Sequence, residues 1–207
     1  ERRREILEAL ARELEAQPGA RITTARLASV VGVSEAALYR HFPSKARMFE
    51  GLFDFAEESV FGITNRLLAD DGDLCDRLER VLGTLLRFAE RNPGIACMLL
   101  GDALVDEHER LRGRASQFFD RLEVQIKQAL RTWELTRARP SELTASHAAN
   151  LLVAVIEGRM HQFSRSRFEH SPLQGWEEQW RALRSVLFTE EQLPVSGAGE
   201  PSVPGTI

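Results

Sequence analysis

Apolar residues recur at helical spacing from one end of this chain to the other, and no β-branched run alternates with polar residues for long enough to make a useful strand. That pattern restricts the fold to packed helices. Ile6, Leu7, Leu10, Ala11 and Leu14 mark a first helix, stopped at Gln17-Pro18-Gly19. A long helix begins after Ser44, with Phe49, Leu52, Phe53, Ala56 and Val60 on one side and Met48 and Phe55 on a flank. It ends near Asp70-Asp71-Gly72-Asp73, and so broad an apolar surface predicts packing on two sides. Leu74, Leu78, Val81, Leu82, Leu85 and Ala89 form the next helix, halted at Asn92-Pro93-Gly94, before a short apolar segment over 95–100. A stripe from Leu111 through Phe118, Leu122, Ile126 and Leu130 to Trp133 runs about six turns. After the break at Pro140, residues 148–163 are apolar on nearly every side, which predicts a helix covered all round. Trp176, Trp180, Leu183 and Leu187 mark the last one.

The chain has 207 residues, 43% of them hydrophobic, enough to bury a core in one or two domains. Its longest apolar run, 151–156, is far too short to cross a bilayer, and its first residues show no leader-like apolar stretch, so a cytoplasmic protein is expected. Cys75 and Cys97 lie in apolar surroundings without metal-ligand spacing and read as reduced core residues. Neither His108, His147, His161 and His170 nor any Ser, Cys or Gly-rich motif makes a catalytic or cofactor-binding pattern, so no enzyme, cofactor or metal is expected. Asp70, Asp71 and Asp73 lack the later ligands of a calcium loop and read as a solvated connection. From Pro194 onward eight of fourteen residues are Pro, Gly or Ser, which predicts a disordered tail over 190–207.

Residues 21–47 carry the chemistry. Thr23 or Thr24 can cap a short helix containing Leu27, Ala28 and Val31; Gly32 supplies the positive φ of a sharp turn; Ser34 caps a second short helix, ended by Pro43. Ala28, Gly32 and Leu38 fall where a helix-turn-helix needs a small crossing residue, a turn glycine and a core residue. With Leu38 and Phe42 inward, Glu35, Ala36, Tyr39 and Arg40 face out, and the small Ala36 and Ala37 let the helix enter a major groove closely. Arg21, Thr23, Thr24, Ser34, Tyr39, His41 and Lys45 are placed to meet the DNA, chiefly its phosphates. Arg2, Arg3 and Arg4 suit equally a basic arm on DNA or a solvated helix start.

The segment from Ile22 to Met48, with Leu-Tyr-Arg-His-Phe-Pro-Ser-Lys at 38–45, resembles the N-terminal domain of TetR-family regulators. Residues 21–25, 31–45 and Glu90-Arg91-Asn92-Pro93-Gly94 are similar to the branch of that family that acts in nucleoid occlusion. The resemblance implies an all-α fold: a three-helix helix-turn-helix domain over 1–44 and a helical dimerisation and partner-binding domain over 45–189. It further implies a nucleoid-associated homodimer that binds palindromic double-stranded DNA, with more than one dimer able to share a site. Such a dimer binds the C-terminal tail of the division GTPase FtsZ and opposes Z-ring assembly over the chromosome.

By the same resemblance the tail lies in a groove beside the long helix and the one after it. Phe55, Arg91 and Asn92 match family residues there, while Ile63, Thr84 and Arg87 stand where the family pattern has other side chains. A symmetric DNA reader needs two recognition helices about 34 Å apart. The expected dimer interface is therefore a four-helix bundle using Val155, Ile156, Phe163, Trp176, Trp180, Leu183 and Leu187. The alternative function is a TetR-type repressor controlled by a small apolar ligand held among the helices between 75 and 165.

The net charge of −4 first argues against DNA. Residues 21–47, however, hold five basic side chains against one acidic, a local +4, and leave the other 180 residues at −8. Phosphates respond to the field within a Debye length of about 8–10 Å, so a basic segment on an acidic body suffices.

Overall fold

The computed structural model describes residues 1–104, 109–136 and 143–188. The expected break at Pro140 and the 190–207 tail lie outside them. Among the described residues every regular element is helical. The helices are α1 (Arg2–Ala16), α2 (Thr24–Val31), α3 (Glu35–His41), α4 (Lys45–Leu68), α5 (Leu74–Arg91), α6 (Pro93–Leu99), α7 (Glu109–Glu134), α8 (Ala145–Arg165) and α9 (Trp176–Leu187). A 3₁₀ turn, Asp102–Leu104, comes directly after α6.

The capping residues explain the boundaries. Thr23, Ser34, Ser44 and Thr144 each accept a backbone N–H from the third residue on, opening α2, α3, α4 and α8. Asp73, read from sequence only as part of a solvated loop, opens α5 by accepting from the Cys75 and Asp76 amides. Gly32 closes α2 at φ 74°, the left-handed geometry that a glycine adopts without strain.

Helices α1 to α3 pack on one another, and α1 also packs on α4 and α6 of the larger set α4 to α9. One contiguous apolar core runs through both sets, from Ile6, Leu10 and Leu14 through Phe49 and Phe53 to Leu122, Leu152 and Ile156. Helix α6 wedges between them: it packs along α1 on one side and against α5, α7 and α8 on the other. Helix α7 is clamped to α4 by charge, with Arg114 bonded to both Asp54 (2.6 Å) and Glu57 (2.9 Å) and lying over the Phe53 ring. Burial pushes the Cys75 thiol up to about 12 and raises that of Cys97, so both stay protonated and unreactive.

The packing of the single chain bears on two expectations. Helix α8 is not covered all round: Leu151, Ala154 and Gly158 leave one stripe open. Trp176, Trp180, Leu187, Ile156 and Phe163, expected at a dimer interface, are each at most 5% exposed within the single chain. Trp176 and Trp180 stack 5.9 Å apart, and Phe188 bridges Trp180 to Trp133. Within the single chain the apolar area of α9 joins it to α5 and α7. Val155 on α8 and Leu183 on α9 are half-buried against the apolar core. The arginines at the start are not a free arm either. Arg2 pairs with Glu5, Arg4 pairs with Glu8, and Arg3 donates to the His41 carbonyl (2.8 Å) while covering Phe42.

Candidate nucleic-acid interface and partner groove

Leu38 and Phe42 are fully buried, which fixes the rotation of α3 and turns Glu35, Ala36, Tyr39 and Arg40 to solvent, with Ala37 half-buried. A short chain of hydrogen bonds ties α3 to the start of α2. The Tyr39 hydroxyl donates to Thr24 Oγ1 (3.3 Å), which donates to Glu35 (2.7 Å). Thr24, Glu35 and Tyr39 therefore reach solvent as one linked polar surface between the two helices of the motif.

The five basic residues of this segment divide by partner. Arg26 is held by buried Glu13 (2.8 Å), which keeps its proton more firmly than usual, and Arg47 pairs with Glu50 (2.8 Å). The Lys45 ammonium donates to the Ile22 carbonyl (2.9 Å), pinning the turn before α2 to the start of α4. Arg21 and Arg40 are exposed and make no hydrogen bond or ion pair among the described residues. The cations open to a phosphate are thus Arg21 and Arg40, while Lys45 holds the frame that presents them. His41 sits half-buried at the end of α3, its carbonyl taken by Arg3, a clasp for which the sequence carries no spacing signal.

Thr23 caps α2 through Arg26 N at 3.2 Å and keeps its side chain exposed. Thr23→Ala is expected to cost about 1 kcal/mol of folding stability through the lost cap. It should also weaken DNA binding, measured on a labelled duplex; unchanged affinity would remove Thr23 from the interface.

A second exposed surface lies between α4 and α5. Phe55 on α4 is 47% exposed and Ile63 36%, and the Phe55 ring meets that of Phe88 on α5 at 6.3 Å. Thr84, Phe88 and Arg91 succeed one another at spacings of four and three along the facing stripe of α5. Arg66 closes the α4 side, donating to the Gly62 carbonyl at 3.2 Å. Phe55, Ile63 and Arg66 on α4 and Thr84, Phe88 and Arg91 on α5 are the candidate partner surface, an aromatic pair with arginines near it.

Asn92 closes the end of α5, its amide donating to the Phe88 carbonyl at 2.9 Å. Of the residues expected here, Arg87 lies beside Thr84, on the α9 side of that stripe. It donates to Thr84 Oγ1 (3.3 Å) and packs with Trp176 over Gly83. Phe88 escaped the sequence reading, although its place one turn beyond Thr84 could have found it.

The family "Bacterial regulatory proteins, tetR family" matches residues 6–52, and "Tetracyclin repressor-like, C-terminal domain", of SlmA-like type, matches residues 72–188. The nucleoid occlusion factor SlmA of Marinomonas sp. (strain MWYL1) is 50% identical over 187 residues, covering 90% of this chain and 95% of that protein. That of Shewanella oneidensis is 54% identical over 186 residues, covering 90% and 94%. Among solved structures, the MbdR regulator from Azoarcus sp. CIB superposes with a TM-score of 0.75 at 18% identity, covering 91% of this chain and 98% of that one. The fatty acid degradation regulator FadR from Bacillus halodurans gives 0.74 at 11%, covering 88% and 94%. At such identities the structural likeness speaks for the fold.

Proposed function

Since this chain belongs to the TetR family and, within it, to the SlmA-type nucleoid occlusion factors, we propose that its two exposed surfaces divide that work between DNA and a division protein. The α3 face reads a palindromic site as one half of a homodimer. The α4–α5 surface takes the C-terminal tail of FtsZ and so opposes Z-ring assembly where the protein is bound.

The observation that carries this reading is that one chain presents both surfaces without overlap. Arg21 and Arg40 stand open beside the recognition helix, while the Phe55–Phe88 pair flanked by Arg66 and Arg91 lies along a separate face of α4 and α5. An aromatic pair with arginines near it suits an extended peptide that carries apolar anchors and carboxylates. A small-ligand repressor would need room inside the body. There the positions of Leu78, Leu82, Leu86, Leu122, Ile126, Leu152, Ile156 and Met160 are filled and at 0% exposure.

The pairing surface is what the chain leaves open. Leu151, Ala154 and Gly158 on α8 and Ala182 and Val186 on α9 are exposed apolar and small residues, Val186 being 60% exposed, and we assign the pairing surface to them. Small residues one turn apart let two helices approach closely, and a twofold pairing there sets two α3 helices against one duplex.

The test is titration of an FtsZ C-terminal peptide, with and without operator DNA, into the wild type and Arg91→Asp. The substitution should lower peptide affinity at least tenfold and leave DNA affinity unchanged. Absence of peptide binding in the wild type under both conditions would refute the partner assignment.

A further inference from the structure

The turn between α8 and α9 encloses a cleft of about 620 Å³ whose chemistry neither surface above uses. Its centre is Arg159, only 7% exposed. The guanidinium is held by neutral groups: Nε donates to the Pro172 carbonyl (2.7 Å), Nη2 to the Gln174 carbonyl (2.6 Å) and Nη1 to the Gln179 side chain, and it lies over the Trp176 ring at 5.5 Å. Among the described residues no carboxylate pairs with it, and burial lowers its pKa, as expected of a desolvated cation without a counter-charge.

Arg165 and His170 stand at the rim. The Arg165 side chain and the His170 ring make no hydrogen bond or ion pair among the described residues. None of the residues lining the cleft is acidic. Glu90, which reaches the turn from α5, is occupied by the Ser171 hydroxyl. In a chain that is net negative, three cationic or ionisable nitrogen groups, one of them a buried guanidinium, form a local excess of positive charge.

We propose that this cleft binds a phosphate-class oxyanion, inorganic phosphate or a small phosphomonoester, with Arg159 as the fixed cation and Arg165 and His170 closing on it from the rim. A carboxylate brings one charge and two oxygens. A phosphate brings about 1.5 to 2 charges and several acceptor oxygens, which matches planar guanidinium donors on more than one side. The Gln162 amide supplies a further donor at the wall, and the volume exceeds that of a bare ion, leaving space for the organic part of an ester. The site is built from one chain, so it stands or falls separately from the DNA and FtsZ assignments. It does continue the open stripe of α8 through Gln162 and Arg165, so a second copy would lie near its mouth.

The experiment is calorimetric titration of inorganic phosphate, and separately of glycerol 3-phosphate, into the full chain at constant ionic strength balanced with chloride. Saturable binding of either at one per chain is the expected result, and comparison of the two distinguishes a bare phosphate site from an ester site. The double variant Arg165→Gln, His170→Gln removes only exposed rim groups. It should retain the wild-type circular dichroism and weaken binding at least tenfold. Heats no different from chloride, or binding unchanged in the double variant, overturn the proposal. So does a charge swap in which Arg165→Glu dissociates paired copies and Glu178→Arg restores them, since a carboxylate of the second copy would then occupy the cleft.

Discussion

Gly94→Ala is expected to cost about 3 kcal/mol or more of stability, an unusually large effect for the addition of one methyl group. A Cβ at residue 94 would stand 2.0 Å from the Ala11 carbonyl oxygen and 3.0 Å from the Glu15 amide nitrogen. Both neighbours are backbone, so no side-chain rotation relieves the clash. Helix α6 cannot retreat, because Ile95, Ala96, Cys97, Met98 and Leu99 are all buried behind it. The remaining relief is for α1 to lift away, and α1 carries the helix-turn-helix. Operator affinity should therefore fall further than affinity for the FtsZ peptide, whose proposed site lies on α4 and α5. Denaturant unfolding read beside the two binding titrations checks this; wild-type stability would contradict the backbone contact between α1 and α6.

Gly158→Glu should have the opposite profile, a folded chain that fails to pair. Nothing lies within 4 Å of a Cβ at residue 158, and glutamate is a better helix former than glycine, so the single chain should be at least as stable. On the proposed pairing surface, the same side chain would set two carboxylates near the twofold axis where two helices meet. Sedimentation should then report a monomer. Operator binding should weaken by about 10²–10⁴-fold, because the second half-site loses the effective concentration that pairing supplies. A dimer of unaltered affinity would place the interface elsewhere. FtsZ peptide binding to the free chain should persist, which separates loss of pairing from loss of fold.

The helices and the DNA-reading motif are legible in the sequence because both rest on local rules. Apolar period, N-cap hydroxyls and the turn glycine act within a few residues of chain, so the roles of Thr23, Gly32, Ser34 and Ser44 can be assigned from their immediate neighbours. The pairing face is not legible by the same rules. The stripe at Trp176, Trp180 and Leu187 says that large apolar area is buried, but periodicity does not say whether the same chain or a second one covers it. The fate of individual charges is equally hidden. Lys45 reaches back to Ile22, Arg3 reaches His41, and Arg159 gathers three oxygens from one turn and the helix after it, contacts whose partners lie 13 to 38 residues away. Arg87 and Phe88, adjacent in sequence, diverge: Arg87 bonds Thr84 and lies beside Trp176, while the Phe88 ring meets that of Phe55, a contact that only the packing shows.

The wedge of α6 has a further consequence. A reader of DNA that hung from its body by a loop could loosen, or be clipped off, and still fold. Here Leu10 and Leu14 of α1 belong to the same apolar core as Ile95, Met98 and Leu99 of α6, and the glycine seat removes any gap between the two backbones. Detaching the first forty-odd residues would uncover that core on both halves at once. The DNA-reading end is therefore expected to melt with the rest of the molecule in one cooperative step, and strain that DNA imposes on α1 should reach the helix that begins where α5 ends.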